Sequence, residues 1–402
     1  MEQKFIAGLY FVFAMLTTNA MAQTPPPGTI PIATVTFPIM PFRPEISLDG
    51  DRIAIQTVGT QSFADFTRLA VIEKGSAGWV QIPVTSSIPF PSGGVGRPIA
   101  FEGNRIATDM VGLSGRNSPP PIIWGRTGTG WQLQAIPRFQ EDLACAGFSP
   151  DGIYSFMFDS VTLPNGFTNG VLRVNACEAG LVKAKATLSP PSNPIGGYQL
   201  HRYALSGDTM VVGFKYSDGS IFPVIGASGF HAYVYNRSRT AAGAVWSFGG
   251  ELPLPQSAVA ANQIYSPGED LAIDGNTIAI SAPSEAMSVP GVGTVEAGAV
   301  YVFERAGATW TQKARLTRSR MNRHFGSRVA VSGDRLLVGS DITPFTVNPG
   351  PGEAYLYQRV NGIWNITPNV LRRIANSNDT LFGSGVALIR KYSGCDRSVG
   401  YC

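Results

Sequence analysis

The sequence predicts an all-β fold, a β-propeller of four-stranded antiparallel blades, with seven blades favoured and six as the alternative. Three observations support this prediction. The composition favours short strands and turns, a hairpin pattern recurs six times, and a strand that ends near a tryptophan follows most of the hairpins. One repeated unit of four strands accounts for all three.

The composition is poor in charge and rich in turn-forming residues. Charged residues make up 14% of the chain, and 46 glycines and 30 prolines stand among 402 residues. Average globular domains carry about 25% charged residues, so short strands with frequent turns are favoured over helices. The net charge of +4 is concentrated only in residues 315–323. We expect that run to be a solvated connection rather than a phosphate-binding patch, and we predict no nucleic-acid partner.

The most regular part of the repeat is a tight turn between two short apolar strands. Glycine supplies the positive φ that such a turn needs, and a neighbouring Asp or Asn tolerates it. The copies are 45–55, 98–108, 146–156, 202–212, 270–280 and 328–338, with turn glycines Gly50, Gly103, Gly152, Gly207, Gly275 and Gly333.

A strand rich in β-branched and aromatic residues follows each hairpin and usually leads to a tryptophan. The best copies are GAVYVFERAGATW (298–310) and GEAYLYQRVNGIW (352–364). Weaker copies span 69–79, 122–131 and 231–246, and the third repeat keeps only GVLRV (170–174). Hairpin and strand pair together predict one four-stranded blade per repeat.

The last repeats resemble a known family. The run from Phe325 to Asp334, followed by Gly352 to Tyr355, resembles the FG-GAP repeat, and residues 382–388 repeat its beginning. This repeat forms the propeller of integrin α-subunits and of many exported bacterial proteins. The resemblance is specific over 270–388, whereas FSPDG (148–152) resembles periplasmic WD40-like propellers. The resemblance implies a β-propeller that binds partners.

The number of blades depends on both ends of the chain. A seventh repeat begins at Phe382 and stops at Cys402, before it supplies four strands. Residues 29–42 are rich enough in β-branched residues to provide a missing strand. We therefore favour seven blades closed by strands from both termini, because an unpaired edge invites aggregation. Six blades remain the alternative.

The first residues predict export. Lys4 precedes the apolar run Phe5 to Leu16, and Ala20-Met21-Ala22 ends residues 1–22 as a signal-peptide cleavage site. Residues 23–28 form a proline-rich spacer, and 29–402 form a single propeller domain. We expect the mature protein in the periplasm, at the cell surface or in the medium, with no transmembrane segment after cleavage.

Four cysteines follow the signal peptide. An even number in an oxidising compartment predicts two disulfides. Proximity favours Cys145 with Cys177 and Cys395 with Cys402 over the other two connectivities. Their spacing argues against a metal site.

Long connections are predicted on one face of the propeller, here called the long-loop face. They are the connections between the second and third strands of the blades, at 56–67, 109–120, 157–168, 213–229, 281–297 and 339–352. This face is the candidate binding surface. The resemblance to integrin propellers implies calcium loops, but residues 281–298 offer only Glu285 and Glu296, and residues 339–352 offer only Asp341. The residual candidates are 216–220 and 376–379. We therefore predict no cofactor, and calcium has no support.

No catalytic constellation is visible. His201, His231 and His324 lie in different strands, with His201 and His231 in one blade, and no nucleophile elbow, zinc helix or phosphate loop occurs. We predict no enzyme but a binding, adhesion or interaction module that recognises a protein or glycan through the long-loop face. The alternative is a propeller hydrolase or lyase that acts on an extracellular polymer at an axial active site.

Overall fold

The structure is a computed structural model that describes most of the repeat region. The described residues are 46–49, 51–57, 68–76, 78–85, 94–111, 122–135, 154–163, 168–178, 181–191, 197–217, 230–240, 243–254, 270–283, 285–289, 293–318, 324–340, 352–372 and 385–388. The predicted signal peptide, the spacer, Cys145, Cys395, Cys402 and the side chain of Cys177 lie outside them. Within these ranges, no helix has the length and apolar character to cross a membrane.

Six antiparallel sheets follow one another along the described chain, and each is one blade. Blade one contains β1 (Ile46–Asp49), β2 (Arg52–Thr57), β3 (Arg68–Gly75) and β4 (Gly78–Ile82). Blade two contains β6 (Gly94–Glu102), β7 (Arg105–Val111), β8 (Ile122–Arg126) and β9 (Trp131–Ala135), and the short β5 (Val84–Thr85) runs parallel to β9. Blade three shows β10 (Tyr154–Thr162), β11 (Thr168–Glu178) and β12 (Leu181–Leu188).

The last three blades are described most completely. Blade four contains β13 (Gly197–Ser206), β14 (Thr209–Ser217), β15 (Phe230–Thr240) and β16 (Gly243–Glu251). Blade five contains β17 (Leu271–Asp274), β18 (Thr277–Ala282), β21 (Ala299–Ala306) and β22 (Thr309–Thr317), with an inserted hairpin of β19 (Ala286–Val289) and β20 (Gly293–Glu296). Blade six contains β23 (Phe325–Ser332), β24 (Arg335–Ser340), β25 (Glu353–Val360), β26 (Ile363–Trp364) and β27 (Asn369–Arg372).

The described residues therefore form a propeller of six blades, which is the alternative number and not the favoured seven. Residues 29–42 and most of 382–402, from which a seventh blade was expected, lie outside the described residues. The part that is described, 385–388, forms no strand. Its Val386 and Leu388 pack instead on an apolar cluster of blade six formed by Leu337, Ala354, Leu356 and Leu371. This contact adds to the burial of the apolar cluster of blade six.

The predicted hairpin turns are confirmed where they are described. Four turn glycines have φ between 55° and 57°, namely Gly103, Gly207, Gly275 and Gly333. These values lie in the left-handed region, which residues with a Cβ seldom adopt. Gly50 and Gly152 lie outside the described residues.

One backbone hydrogen bond repeats in five blades. The N–H of a basic residue near the end of the third strand donates to the carbonyl of the residue after the turn glycine, at 2.8–2.9 Å. The pairs are Lys74 with Asp51, Arg126 with Asn104, Arg237 with Asp208, Arg305 with Asn276, and Arg359 with Asp334. This bond gives the five blades a common register.

The apolar core lies between consecutive blades. Separate clusters of buried side chains join blades one and two, three and four, four and five, and five and six. Phe325 illustrates the last of these, since its ring is 1% exposed and packs among buried residues of β21 and β25. Burying such faces is the main stabilising contribution to a stack of blades.

Two glycines let the backbones of blades five and six approach each other. Gly298 has a φ of 78°, and a Cβ there would lie 2.2 Å from the carbonyl oxygen of Phe325. Gly326 has a φ of 94°, and a Cβ there would lie 3.0 Å from the carbonyl oxygen of Ala299. The resulting contact joins the start of β23 to the start of β21.

At two of the blade boundaries, a glutamate accepts hydrogen bonds from an arginine and a tryptophan of the next blade. Glu304 of blade five accepts hydrogen bonds from Arg359 Nη1 and from Trp364 Nε1 of blade six, both at 2.8 Å. Glu73 of blade one accepts equivalent bonds from Arg126 and Trp131 of blade two. Two of the tryptophans that recur in the sequence, Trp131 and Trp364, therefore stabilise a blade boundary with an indole N–H as well as with apolar area.

Candidate functional site

The third strands of blades four, five and six begin at the long-loop face and share one pattern. A tyrosine stands four residues before the basic residue of the repeated backbone bond, at Tyr233, Tyr301 and Tyr355. Each of these tyrosines lies near a carboxylate on the same face. The group formed by this tyrosine and its nearby carboxylate can therefore be compared among the three blades. The tyrosines are equivalent, whereas the carboxylates come from different elements: Glu251 from β16, Glu285 from the segment before β19, and Glu353 from β25.

In blade five the carboxylate is buried and fully engaged. The Glu285 side chain is 2% exposed, Tyr301 Oη donates to its Oε2 at 2.6 Å, and Arg315 Nε donates to its Oε1 at 2.9 Å. Its backbone carbonyl accepts the N–H groups of Ala297 and Gly298, each at 3.0 Å. The backbone of Glu285 thus holds the inserted hairpin, which lies in a segment that was predicted as a loop. The carboxylate of Glu285 pairs with Arg315.

Burial raises the pKa of Tyr301 to about 12 from an ordinary value of 10.0; the hydrogen bond to Glu285 adds to this effect, whereas Arg315 opposes it. The native protein therefore holds this proton between pH 10 and 12, where the unfolded chain releases it. We expect the free energy of unfolding to fall as the pH rises through that window.

Denaturant titrations across the same pH window, with phenolate absorbance recorded in parallel, measure this effect. The Tyr301→Phe variant should lose less stability per pH unit than the native sequence. Equal slopes for the two proteins would contradict the assignment.

In blade six the equivalent group is also closed. Glu353 is 1% exposed and accepts a hydrogen bond from Tyr355 Oη. The Arg318 guanidinium lies 4.9 Å from the centre of the Tyr355 ring and 5.8 Å from that of Tyr357. Arg315 was predicted in a solvated connection but lies in β22; its side chain is 38% exposed and pairs with Glu285. Arg318, directly after β22, is partly buried against the two rings. Residues 319–323 lie outside the described part.

In blade four the equivalent group is open to solvent. His231 Nδ1 lies 2.6 Å from Glu251 Oε1, and the two side chains are 33% and 48% exposed. Glu251 pairs across the sheet with Tyr233, so both lie on the face that carries His231. The carboxylate here is held by an imidazole at the surface, whereas in blades five and six it is buried.

Aromatic rings extend this open group along the sheet. The His231 ring lies 5.4 Å from that of Tyr198 and stacks at 5.9 Å on Tyr233, and Phe248 lies 5.9 Å from Tyr233. Phe248 is 54% exposed, whereas Tyr198 and Tyr233 are buried. We name Tyr198, His231, Tyr233, Phe248 and Glu251 the blade-four cluster.

A β-bulge places Phe248 and Glu251 on the same face. Residues three apart on a regular strand point to opposite faces. The register of β15 and β16 shifts between Val234 and Tyr235, so that Phe248 pairs with Tyr235 while Glu251 pairs with Tyr233. Gly249 is the extra residue that this shift leaves unpaired. The bulge thereby brings an exposed ring and an exposed carboxylate together.

The hydroxyl of Tyr233 remains a hydrogen-bond donor. Burial raises its pKa well above the ordinary value, and the negative charge of Glu251 and the neighbouring Tyr198 raise it further. The cluster therefore presents a neutral phenol beneath the imidazole and the carboxylate.

The structure does not bring the predicted histidines together. His201 lies at a bulge of β13, and its ring is 6.5 Å from that of Phe230. Phe230 precedes His231 and therefore points to the opposite face of the sheet. His324 is buried before β23, in blade six. Only His231 belongs to the blade-four cluster, and its partner there is Glu251.

A buried carboxylate, Asp270, lies directly before the innermost strand of blade five. The first strands of blades four, five and six contact one another, as strands around an axis do. Asp270 accepts the N–H of Val329 at 2.9 Å, and its Oδ1 lies 3.6 Å from Arg202 Nε. Asp270 therefore links blade five to blades four and six. Among the described residues, no group of three or more His, Cys, Asp or Glu side chains could hold a metal ion.

Successive antiparallel sheets joined face to face define the chain as a β-propeller. No protein-family model and no curated protein sequence matches it. Among solved structures, it is similar to a crystal structure from Bacteroides fragilis provisionally named a 6-phosphogluconolactonase. The two share 11% sequence identity with a TM-score of 0.37, over 81% of this chain and 85% of the other. A similarity at this level carries no inference about activity.

Proposed function

We propose that the chain is an exported binding module of the FG-GAP type, which recognises a protein or glycan at the long-loop face without catalysis. We place the binding site at the blade-four cluster. The observation that carries this proposal is the contrast between the carboxylates that lie beside the equivalent tyrosines of three blades. Blades five and six bury their carboxylates with tyrosine and arginine, whereas blade four exposes Glu251, His231 and Phe248.

The exposed members of the blade-four cluster contribute little to folding. A surface ion pair such as His231 with Glu251 stabilises a protein by about 0–1 kcal/mol. A ring that is 54% exposed, as in Phe248, leaves much of its apolar surface in water. A single exposed ring is ordinary, but a ring beside a carboxylate and an imidazole offers apolar contact and hydrogen bonds together. We therefore assign these exposed side chains to ligand binding rather than to stabilising the fold.

The hydrogen-bond and ion-pair partners of the buried carboxylates support a binding module rather than an enzyme with an axial active site. A hydrolase or lyase at the axis needs an acid that is free to act on substrate. Asp270 is occupied by the N–H of Val329 and by Arg202. Glu285 and Glu353 are buried against tyrosines.

Export is proposed from residues 1–22, and with it the disulfides Cys145–Cys177 and Cys395–Cys402. We propose no calcium requirement. Peptide mapping of the secreted protein under non-reducing conditions identifies the mature N-terminus and the cysteine pairs directly.

The proposal predicts that Phe248→Ala weakens partner binding. The mature protein is applied to an array of glycans and surface proteins, and each bound spot is titrated. We expect Phe248→Ala to weaken binding at least tenfold, about 1.4 kcal/mol. Ile363→Ala is the matched control, because Ile363 is 73% exposed on blade six. A partner that binds the two variants equally would remove the blade-four cluster from the site.

A further inference from the structure

We infer that the blade-four cluster takes a neutral saccharide, with one pyranose ring packed on Phe248. This inference rests on the proposed function and specifies its ligand. The cluster combines a fixed aromatic face and a carboxylate on the outermost strand of blade four with an imidazole on the neighbouring third strand.

Phe248 provides the apolar contact. Its ring lies 5.9 Å from both Tyr233 and Tyr235, which are buried and hold it from below. A pyranose ring has one face of C–H groups, and that face packs on an aromatic ring as other apolar surface does. Because neighbouring side chains already position the ring, a ligand loses little affinity through ordering it.

Glu251 and His231 provide the polar contacts. Only Oε1 of Glu251 contacts His231, so Oε2 can accept a hydrogen bond from a hydroxyl. The imidazole offers a second nitrogen, and a hydroxyl can both donate to one group and accept from another. Adjacent hydroxyls on one sugar ring match a carboxylate and an imidazole that lie side by side.

The bulge sets the distance between these groups. Phe248 pairs with Tyr235 and Glu251 pairs with Tyr233, so the two side chains oppose positions two residues apart on β15, roughly 7 Å. A hydroxyl of a sugar ring packed on Phe248 can therefore reach the carboxylate, and a linked second ring can extend beyond it.

The charges favour a neutral ligand. An anionic ligand is repelled by Glu251, which is 48% exposed. A cationic ligand approaches a chain whose net charge is +4, and the carboxylate that would attract it already contacts His231. A neutral sugar uses the same atoms and carries no such electrostatic cost.

Saturation-transfer NMR on the mature protein tests the inference with cellobiose, maltose, lactose and N,N′-diacetylchitobiose as probes. We expect at least one disaccharide to receive saturation on the C–H protons of one ring face. Phe248→Ala should weaken that binding at least tenfold, and Glu251→Gln should weaken it several-fold. Ile363→Ala and Asp51→Asn are the controls, since Ile363 and Asp51 are exposed on other blades. Thermal unfolding should be unchanged in all four variants.

The inference is overturned if none of the four disaccharides binds the native protein. It is also overturned if the Phe248→Ala variant binds them as tightly as the native protein does. The array of glycans and surface proteins distinguishes failure of the saccharide inference from failure of the proposed function. If a protein partner needs Phe248 while no disaccharide binds, the binding site stands and the saccharide does not. If no partner of either kind needs Phe248, both proposals fail.

Discussion

Replacing Gly298 with alanine should lower the free energy of unfolding by more than about 3 kcal/mol, or prevent folding. Two effects add. At a φ of 78° a Cβ costs about 1–2 kcal/mol by itself. The new Cβ would also lie 2.2 Å from the carbonyl oxygen and 3.0 Å from the nitrogen of Phe325, and 2.9 Å from the carbonyl oxygen of Pro283. All three atoms are backbone, so no side chain can move aside and blades five and six must separate.

Gly307→Ala is the control for the first effect alone. Gly307 has a φ of 64°, and a Cβ there would meet no atom within 4 Å. We expect this variant to cost about 1–2 kcal/mol, from the backbone conformation only. Urea denaturation of both variants measures the difference, which is the contribution of the contact between the blades. If the two glycines cost the same, the close approach at Gly298 does not constrain the fold.

The Glu304→Ala variant should lower the free energy of unfolding by about 2–4 kcal/mol, because it leaves two donors of blade six without their acceptor. Glu304 is 16% exposed at its side chain and receives both Arg359 Nη1 and Trp364 Nε1 at 2.8 Å. Glu304→Gln keeps an oxygen for the indole and removes the charge. We expect it to cost less than the alanine.

The control for Glu304 is an exposed pair within one blade. Asp51 is 68% exposed and lies 3.9 Å from Lys74 Nζ. Asp51→Asn should change stability by less than about 0.5 kcal/mol. The measurement is again urea denaturation. A Glu304→Ala variant as stable as Asp51→Asn would show that the apolar cluster alone holds blades five and six together.

Much of the fold could be predicted because its unit is local. A turn glycine between two alternating strands is readable in a window of eleven residues, and four such glycines adopt the φ that the turn requires. The tryptophans were predicted as markers of a blade. Their hydrogen-bond partners, Glu73 and Glu304, were not predicted, because each belongs to the preceding blade. The sequence of a single repeat does not indicate how one blade is aligned against the next. The same lack of long-range information explains why seven blades were favoured.

The candidate site was less predictable for a similar reason. The long-loop face and His231 were singled out, but His201 was considered as the partner because both histidines lie in one blade. Phe248 and Glu251 were missed, since they share a face only through the bulge at Gly249. The available signal was WSFGGE (246–251), where a glycine pair interrupts an alternating strand before an acid.

Phe248 and Glu251, two exposed members of the blade-four cluster, lie on the outermost strand of blade four, at the rim of the disc rather than over its axis. A ligand bound in an axial channel must present an end, because its chain has to thread the opening. A chain that lies across a rim can continue in both directions beyond the protein. Recognition at Phe248 and Glu251 therefore suits internal units of a long polymer, and one strand of such a polymer could carry many copies of the protein side by side.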